Sequence, residues 1–163
     1  MGFIAWQRSI QTKLRPALVL PGVRNLHSEE QTWVVAASAK ETLEAIWKAA
    51  SELEEYEPAK REEKKLTVDY LTTKLKWLDQ ITIEVVSESQ DSTTLKVVDG
   101  STGFLPLTIP LAPLLNIVLC WFPFGDNGKC AATMSTLRKK TAQNLGKDIN
   151  REVVRKSWTN FAK

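Results

Sequence analysis

One histidine in 163 residues, His27, and that in a connector, excludes most catalytic triads, dyads and histidine-rich metal sites. Cysteine is nearly as scarce. Cys120 and Cys130 cannot build a disulfide framework, and they have neither the spacing nor the histidine neighbours of a zinc site. The chain also lacks the glycine-rich signatures of nucleotide binding. Gly125-Asp126-Asn127-Gly128-Lys129 superficially resembles a phosphate loop but has no Ser or Thr partner and the wrong spacing. No recognition helix, zinc knuckle or RNA-binding aromatic strand motif is present, so nucleic acid is not expected as a partner. Carboxylates are plentiful, but Glu54, Glu55, Glu57, Glu62 and Glu63 fall in one charged stretch. Only Asp69 and Asp79 punctuate apolar segments, where a pair on neighbouring strands would suit acid–base work if buried; Asp126 is the remaining candidate. The expectation is a protein that is not an enzyme, with no catalytic residue, no cofactor and no metal ion.

Charge is unevenly shared. From Met1 to Ser28 there are four bases (Arg8, Lys13, Arg15, Arg24) and no acid; from Glu29 to Gly103 sixteen acids face nine bases. From Lys129 onward nine bases accompany only Asp148 and Glu152, so an acidic middle is flanked by basic ends. The first stretch reads as a short amphipathic helix ended by Pro16. Phe3, Trp6, Ile10 and Leu14 recur at helical spacing, with Gln7, Arg8, Gln11 and Arg15 turned away. Basic, acid-free and amphipathic is the description of a mitochondrial presequence, and Arg24 before Leu26 and Ser28 is a plausible processing point. Packing of this helix on the protein's own core is the alternative.

Further on, Thr32–Ala37 reads as a strand. Ser38 and Glu41 form a capping box for a helix burying Leu43, Ile46, Trp47, Ala50 and Leu53. The charged stretch with Pro58 reads as a solvated loop. Leu66–Leu71 alternates as a half-buried strand, a bend falls near Trp77, and Ile81, Ile83 and Val85 alternate into a turn at Ser89–Ser92 and a return strand, Thr94–Val98. After the Gly125–Gly128 turn, Cys130, Met134, Leu137, Thr141 and Leu145 make a helical stripe closed by Gly146. Asp148 is read as the cap of a last helix with Ile149, Val153, Ser157, Trp158 and Phe161 on one face. Arg138, Lys139 and Lys140 on the first of these helices, with Arg151, Arg155 and Lys156 on the second, form a candidate basic surface. The fold class is therefore α+β: a short strand, a helix, an antiparallel meander, an apolar proline-rich insertion and C-terminal helices. The segments are 1–28, presequence-like; 29–146, the domain; and 147–163, the basic end.

The insertion is the most unusual feature. Phe104 to Phe124 is 21 residues without a charge, long enough to span a bilayer as a helix, but Pro106, Pro110, Pro113 and Pro123 break it. Three arrangements are physically open: shallow or re-entrant insertion in a membrane, a loop gripped by a partner, or a segment folded over the domain's own sheet. The candidate contact residues are Trp6 together with Phe104, Leu105, Leu107, Ile109, Leu111, Leu114, Leu115, Ile117, Leu119, Trp121, Phe122 and Phe124, with Trp121 and Phe122 placed as interfacial anchors.

The order of elements from Thr32 to Leu145 resembles the family known as domain of unknown function 1499. Trp77-Leu78-Asp79-Gln80-Ile81-Thr82-Ile83-Glu84 is similar to its aromatic-x-Asp-Asp-x-Glu strand start, with Gln80 in place of the second aspartate. Gly100–Gly103 falls at its serine-rich strand end, and Gly125–Gly128 with the helix to Leu137-Arg138 resembles its last element, without the Asn-x-x-Arg pattern. The resemblance implies a fold and no activity. Taken together, the sequence leads us to expect a non-catalytic, membrane-associated protein. It would be an accessory subunit of a mitochondrial inner-membrane complex, peripheral or monotopic, with membrane lipid or complex subunits as partners. The cytoplasmic face of another membrane is the alternative location. A small lipid- or hydrophobic-ligand-binding protein, with 104–124 as lid or membrane contact, is the alternative function.

Overall fold

A computed structural model describes residues 2–14, 27–120 and 128–156. In chain order the elements are α1 (Phe3–Gln11), β1 (Ser28–Val35), α2 (Ala39–Glu52), β2 (Tyr56–Arg61), β3 (Lys65–Leu71), β4 (Leu78–Glu88), β5 (Thr93–Ser101), α3 (Ala112–Leu119), α4 (Lys129–Leu145) and β6 (Ile149–Arg155). The six strands form one antiparallel sheet in the order β2-β3-β4-β5-β1-β6, confirming the α+β class.

The period-2 pattern of the central strands sets which face is buried. Leu66 and Val68, Ile81 and Ile83, Leu95 and Val97, and Trp33 and Val35 all project to the face covered by α2 and α4. The helices answer with Leu43, Ile46, Ala49 and Ala50 from α2 and with Met134 and Leu137 from α4. Both helix ends follow their sequence signals. Ser38 Oγ accepts the Glu41 amide at 3.3 Å, while the Glu41 carboxylate meets Lys147 at 3.6 Å. Gly146, at φ +64°, ends α4 in the left-handed conformation glycine adopts at no steric cost.

Two elements differ from the sequence reading. The charged stretch expected as a loop contains β2, which is an edge strand. Its exposed Lys60 and Arg61 and its bulge after Pro58 are what an edge tolerates. The helix expected after Asp148 is instead β6, paired along β1. Ile149 and Val153 satisfy a four-residue helical spacing and also share one face of a strand. A free edge on β1, a tight turn after Gly146 and the β-branched Val153 and Val154 favour the strand. Strand β1 also begins four residues earlier than expected, because its polar start is buried and internally bonded: Gln31 donates to Glu29 at 2.8 Å and accepts from the Trp33 indole at 3.0 Å. Ser157, Trp158 and Phe161 lie outside the described residues.

Leu137 is fully buried between α4 and the sheet. Leu137→Ala is expected to cost about 2–5 kcal/mol, read as a lowered midpoint in denaturant unfolding.

Candidate functional site

Strand register places Ser28, Leu71, Leu78 and Ser101 at one end of the sheet. That end is capped by α1, the 72–77 connection and the segment running from residue 102 into α3. The Leu107 amide donates to the Lys76 carbonyl at 3.0 Å, and the Trp77 indole donates to the Phe104 carbonyl at 2.9 Å.

The cap is held from inside by amides. Between residues 102 and 112 the backbone is irregular, and Pro106 and Pro110 can donate nothing, so buried carbonyls there need side-chain donors. Gln7 Nε2 donates to Leu107 O at 2.6 Å and to Ile109 O at 2.9 Å, while its Oε1 accepts the Ala112 amide at 3.1 Å. Gln11 Nε2 donates to Thr102 O, and its Oε1 accepts from Asn116 Nδ2 at 3.3 Å. Asn116 also grips Leu105 from both sides, taking its N–H at 2.7 Å and donating to its carbonyl at 3.1 Å. All three side chains are buried. Room for the cluster depends on Gly103, where an added Cβ would lie 2.3 Å from the Asn116 amide and 2.7 Å from Gln11 Nε2.

A consequence of this arrangement is that apolar side chains on the two helices are left facing outward. On α3 the buried positions are Ala112, Pro113 and Asn116, whereas Leu111, Leu114, Leu115 and Val118 share the opposite face and Ile117 adjoins it. On α1 the buried positions are Gln7 and Gln11, and Phe3, Trp6 and Leu14 are exposed along one flank. With Leu75 on the 72–77 connection, this end holds nine of the twelve exposed large hydrophobic side chains among the described residues. Isolated exposed leucines need no explanation, but a concentration of this kind does. Two non-glycine residues with positive φ, Lys76 (57°) and Leu111 (61°), also lie here. An L-residue in that conformation carries a steric cost of roughly 1–2 kcal/mol, and the Leu111 side chain is 54% exposed, so its own burial does not offset that cost.

The sequence-selected residues divide accordingly. Trp6, Leu111, Leu114, Leu115 and Ile117 are exposed. Phe104, Leu105, Ile109 and Leu119 are half-buried, and Leu107 is buried on the protein's own domain. Leu107 is therefore not an outward contact: the Gln7 and Lys76 hydrogen bonds on its backbone draw it inward. Trp121, Phe122 and Phe124 lie outside the described residues. The basic surface is partly spent within the fold. Arg138 donates to Ile149 O at 2.7 Å, Lys140 meets Glu52 at 2.9 Å, and Arg155 donates to Ser28 O at 2.9 Å; Lys139, Arg151 and Lys156 are exposed. Burial pushes the Arg138 guanidinium below its ordinary pKa, with the Arg151 charge adding to the effect.

The two aspartates weighed for acid–base chemistry do not converge. Asp69 pairs with Gln80 and Asp79 with Tyr70, which places them on opposite faces of the sheet. Each has a charged partner: Arg8 reaches Asp69 at 2.8 Å and also Glu57, and Lys129 reaches Asp79 at 3.0 Å. Asp126 lies outside the described residues. Between α1 and β2–β3 runs an open cleft of about 540 Å³ that includes Arg8, Glu57, Thr67, Asp69 and Gln80, a lining too charged for a lipid tail.

Sequence reasoning missed the amides that organise the cap. The signal was present: Gln7 and Gln11 sit one helical turn apart, and apart from the thiol of Cys120, Asn116 is the one polar side chain between Ile109 and Cys120.

No protein-family model matches the chain. No curated protein matches it either. Among solved structures it is similar to a protein of Thermus thermophilus at 14% identity and a TM-score of 0.38, over 72% of this chain and 96% of that one. A conserved protein of Geobacillus kaustophilus is similar at 9% identity and a TM-score of 0.39, over 76% and 99% of the two chains. The Zhui aromatase/cyclase of a Streptomyces species is similar at 12% identity and a TM-score of 0.33, over 71% and 94%.

Two outcomes follow. Gly103→Ala is expected to open the amide cluster and destabilise the cap by about 1–3 kcal/mol, the cost of leaving buried polar groups unpaired. Hydrogen exchange should localise the loss to α1 and residues 102–120 rather than to the sheet. The second concerns His27, which is buried, with Nε2 3.2 Å from the carbonyl of Cys120 at the end of α3. Burial is the larger influence and lowers its pKa from the ordinary value near 6.5, against the raising effect of the Cys120 carbonyl. The unfolded chain therefore takes up a proton first as pH falls below about 6.5, and the folded chain only lower. Stability should be flat above that value and decline below it, and His27→Gln should flatten the decline in melts recorded across this range.

Proposed function

We propose that the protein is a non-catalytic, monotopic membrane-surface protein that docks on a bilayer through the α1–α3 end of its sheet. The observation that carries this reading is the outward face of Leu111, Leu114, Leu115 and Val118, opposite a buried asparagine. A helix so arranged has its polar needs met by the protein and its apolar surface left for another apolar medium. Helix α3 has eight residues, about 12 Å of rise, and no helix among the described residues is long and apolar enough to cross a membrane. Docking along the interface, with Phe3 and Trp6 at the boundary, fits these dimensions.

Magnitudes favour reversible attachment. Nine half-exposed side chains entering lipid would yield roughly 1 kcal/mol each. Association costs of about 4–15 kcal/mol offset most of that. A second reading, a small lipid or hydrophobic-ligand carrier with 104–124 as its lid, draws support from Ala112 and Asn116 of α3 being held by hydrogen bonds to Gln7 and Gln11. It requires lipid held one-to-one by a soluble monomer.

Vesicle flotation separates the two. The wild-type chain is expected to float with phospholipid vesicles. Leu115→Ser/Val118→Ser, at two exposed positions, should lose at least tenfold in bound fraction with an unchanged melting temperature. A wild-type protein that stays at the bottom of the gradient, and carries a lipid in native mass spectrometry, would replace docking with the carrier.

A further inference from the structure

The segments that form the docking end are acid-free as well as apolar. Residues 2–14, 72–78 and 100–120 contain no Asp or Glu but carry Arg8, Lys13, Lys74 and Lys76. Arg8 is committed to Asp69 and Glu57. Lys48, Lys60, Lys96, Lys140 and Lys147 pair with carboxylates elsewhere in the molecule, and Lys129 pairs with Asp79 beneath the cap. Lys13, Lys74 and Lys76 make no such pair among the described residues, as Lys40, Lys64, Lys65, Lys139 and Lys156 do not; what sets the three apart is that each adjoins an exposed leucine, Lys13 preceding Leu14 and Lys74 and Lys76 flanking Leu75.

Position strengthens the association. Lys76 holds its left-handed backbone at the point where its own carbonyl takes the Leu107 amide, so its backbone is tied to the same framework as the apolar cap. The acid nearest this loop is Glu55, whose carboxylate is occupied by the Thr73 hydroxyl and amide and by the Tyr70 hydroxyl. Lys13, Lys74 and Lys76 with Arg8 face the carboxylates of Glu55, Asp69 and Glu57, and Lys129 balances Asp79, so the end keeps a net positive charge.

We infer that this end selects anionic phospholipid bilayers, with Lys13, Lys74 and Lys76 meeting the headgroups while the leucines beside them enter the acyl boundary. The inference rests on the docking reading and adds the lipid class to it. Each lysine at an anionic surface contributes about a fivefold gain in partition, falling off within the screening length of the buffer.

The test is flotation with phosphatidylcholine vesicles and with the same vesicles doped with phosphatidylserine, at low and high salt. Phosphatidylserine should raise the bound fraction of wild type by about tenfold or more at low salt, and high salt should remove the gain. Lys13→Gln/Lys74→Gln/Lys76→Gln should abolish the gain while binding phosphatidylcholine as before. Lys139→Gln/Arg151→Gln, at exposed bases away from this end, should keep it. Equal binding to both vesicles overturns the anionic preference and leaves docking standing. A gain lost in the second variant and kept in the first overturns the assigned lysines. No binding to either vesicle overturns docking and this inference together.

Discussion

Three buried carboxamides, Gln7, Gln11 and Asn116, are the constraint on which the α1–α3 end of the molecule depends. An irregular segment interrupted by prolines exposes carbonyls that no helix or sheet can satisfy, and leaving such groups buried and unpaired is costly. The three amides meet those carbonyls, and in doing so they fix α1 and α3 with their polar sides inward. Once the inward positions belong to amides, the leucines and aromatics of the same helices face out or lie along the flanks. The exposed apolar surface is thus a geometric consequence of how the segment is hydrogen-bonded.

The rest of the domain serves as a rigid base for that cap. Two helices and a six-stranded sheet enclose one core on a single face, and the other face meets α1 through Arg8, Asp69 and Gln80. Ion pairs sit where the cap joins the base: Lys129 with Asp79 at the start of α4, and Arg8 with Asp69 under α1. Such partly buried pairs add little net stability but penalise other arrangements, since separating them strands a buried carboxylate.

Much of the base was legible in the sequence because its elements are locally consistent. The Ser38 cap, the alternation from Leu66 to Val98 and the Gly146 stop each imply one structure, and the fold agrees. The misread elements were those where local pattern was silent. Strand β6 has a spacing that suits either secondary structure, and only the open edge of β1 decides it. Strand β2 is charged because it is an edge. Within the site, the apolar residues were visible but their direction was not. Leu107 turns in and Leu111 turns out, although both are leucines in the same uncharged run. That difference is set by partners about a hundred residues away in sequence, beyond the reach of any periodicity.

Docking on a bilayer requires that the outward face of α3 contact lipid. The direct measurement is depth-dependent fluorescence quenching, with a polarity-sensitive probe attached at Val118→Cys and, separately, at Val86→Cys. Both parent side chains are strongly exposed, at 66% and 62%, and Val86 lies toward the other end of the sheet, while the native Cys120 and Cys130 are buried. The account predicts that, with vesicles present, lipid-borne quenchers reach the probe at 118 and leave the probe at 86 bright. Equal quenching at the two positions, or none at 118 on vesicle-bound protein, would contradict it.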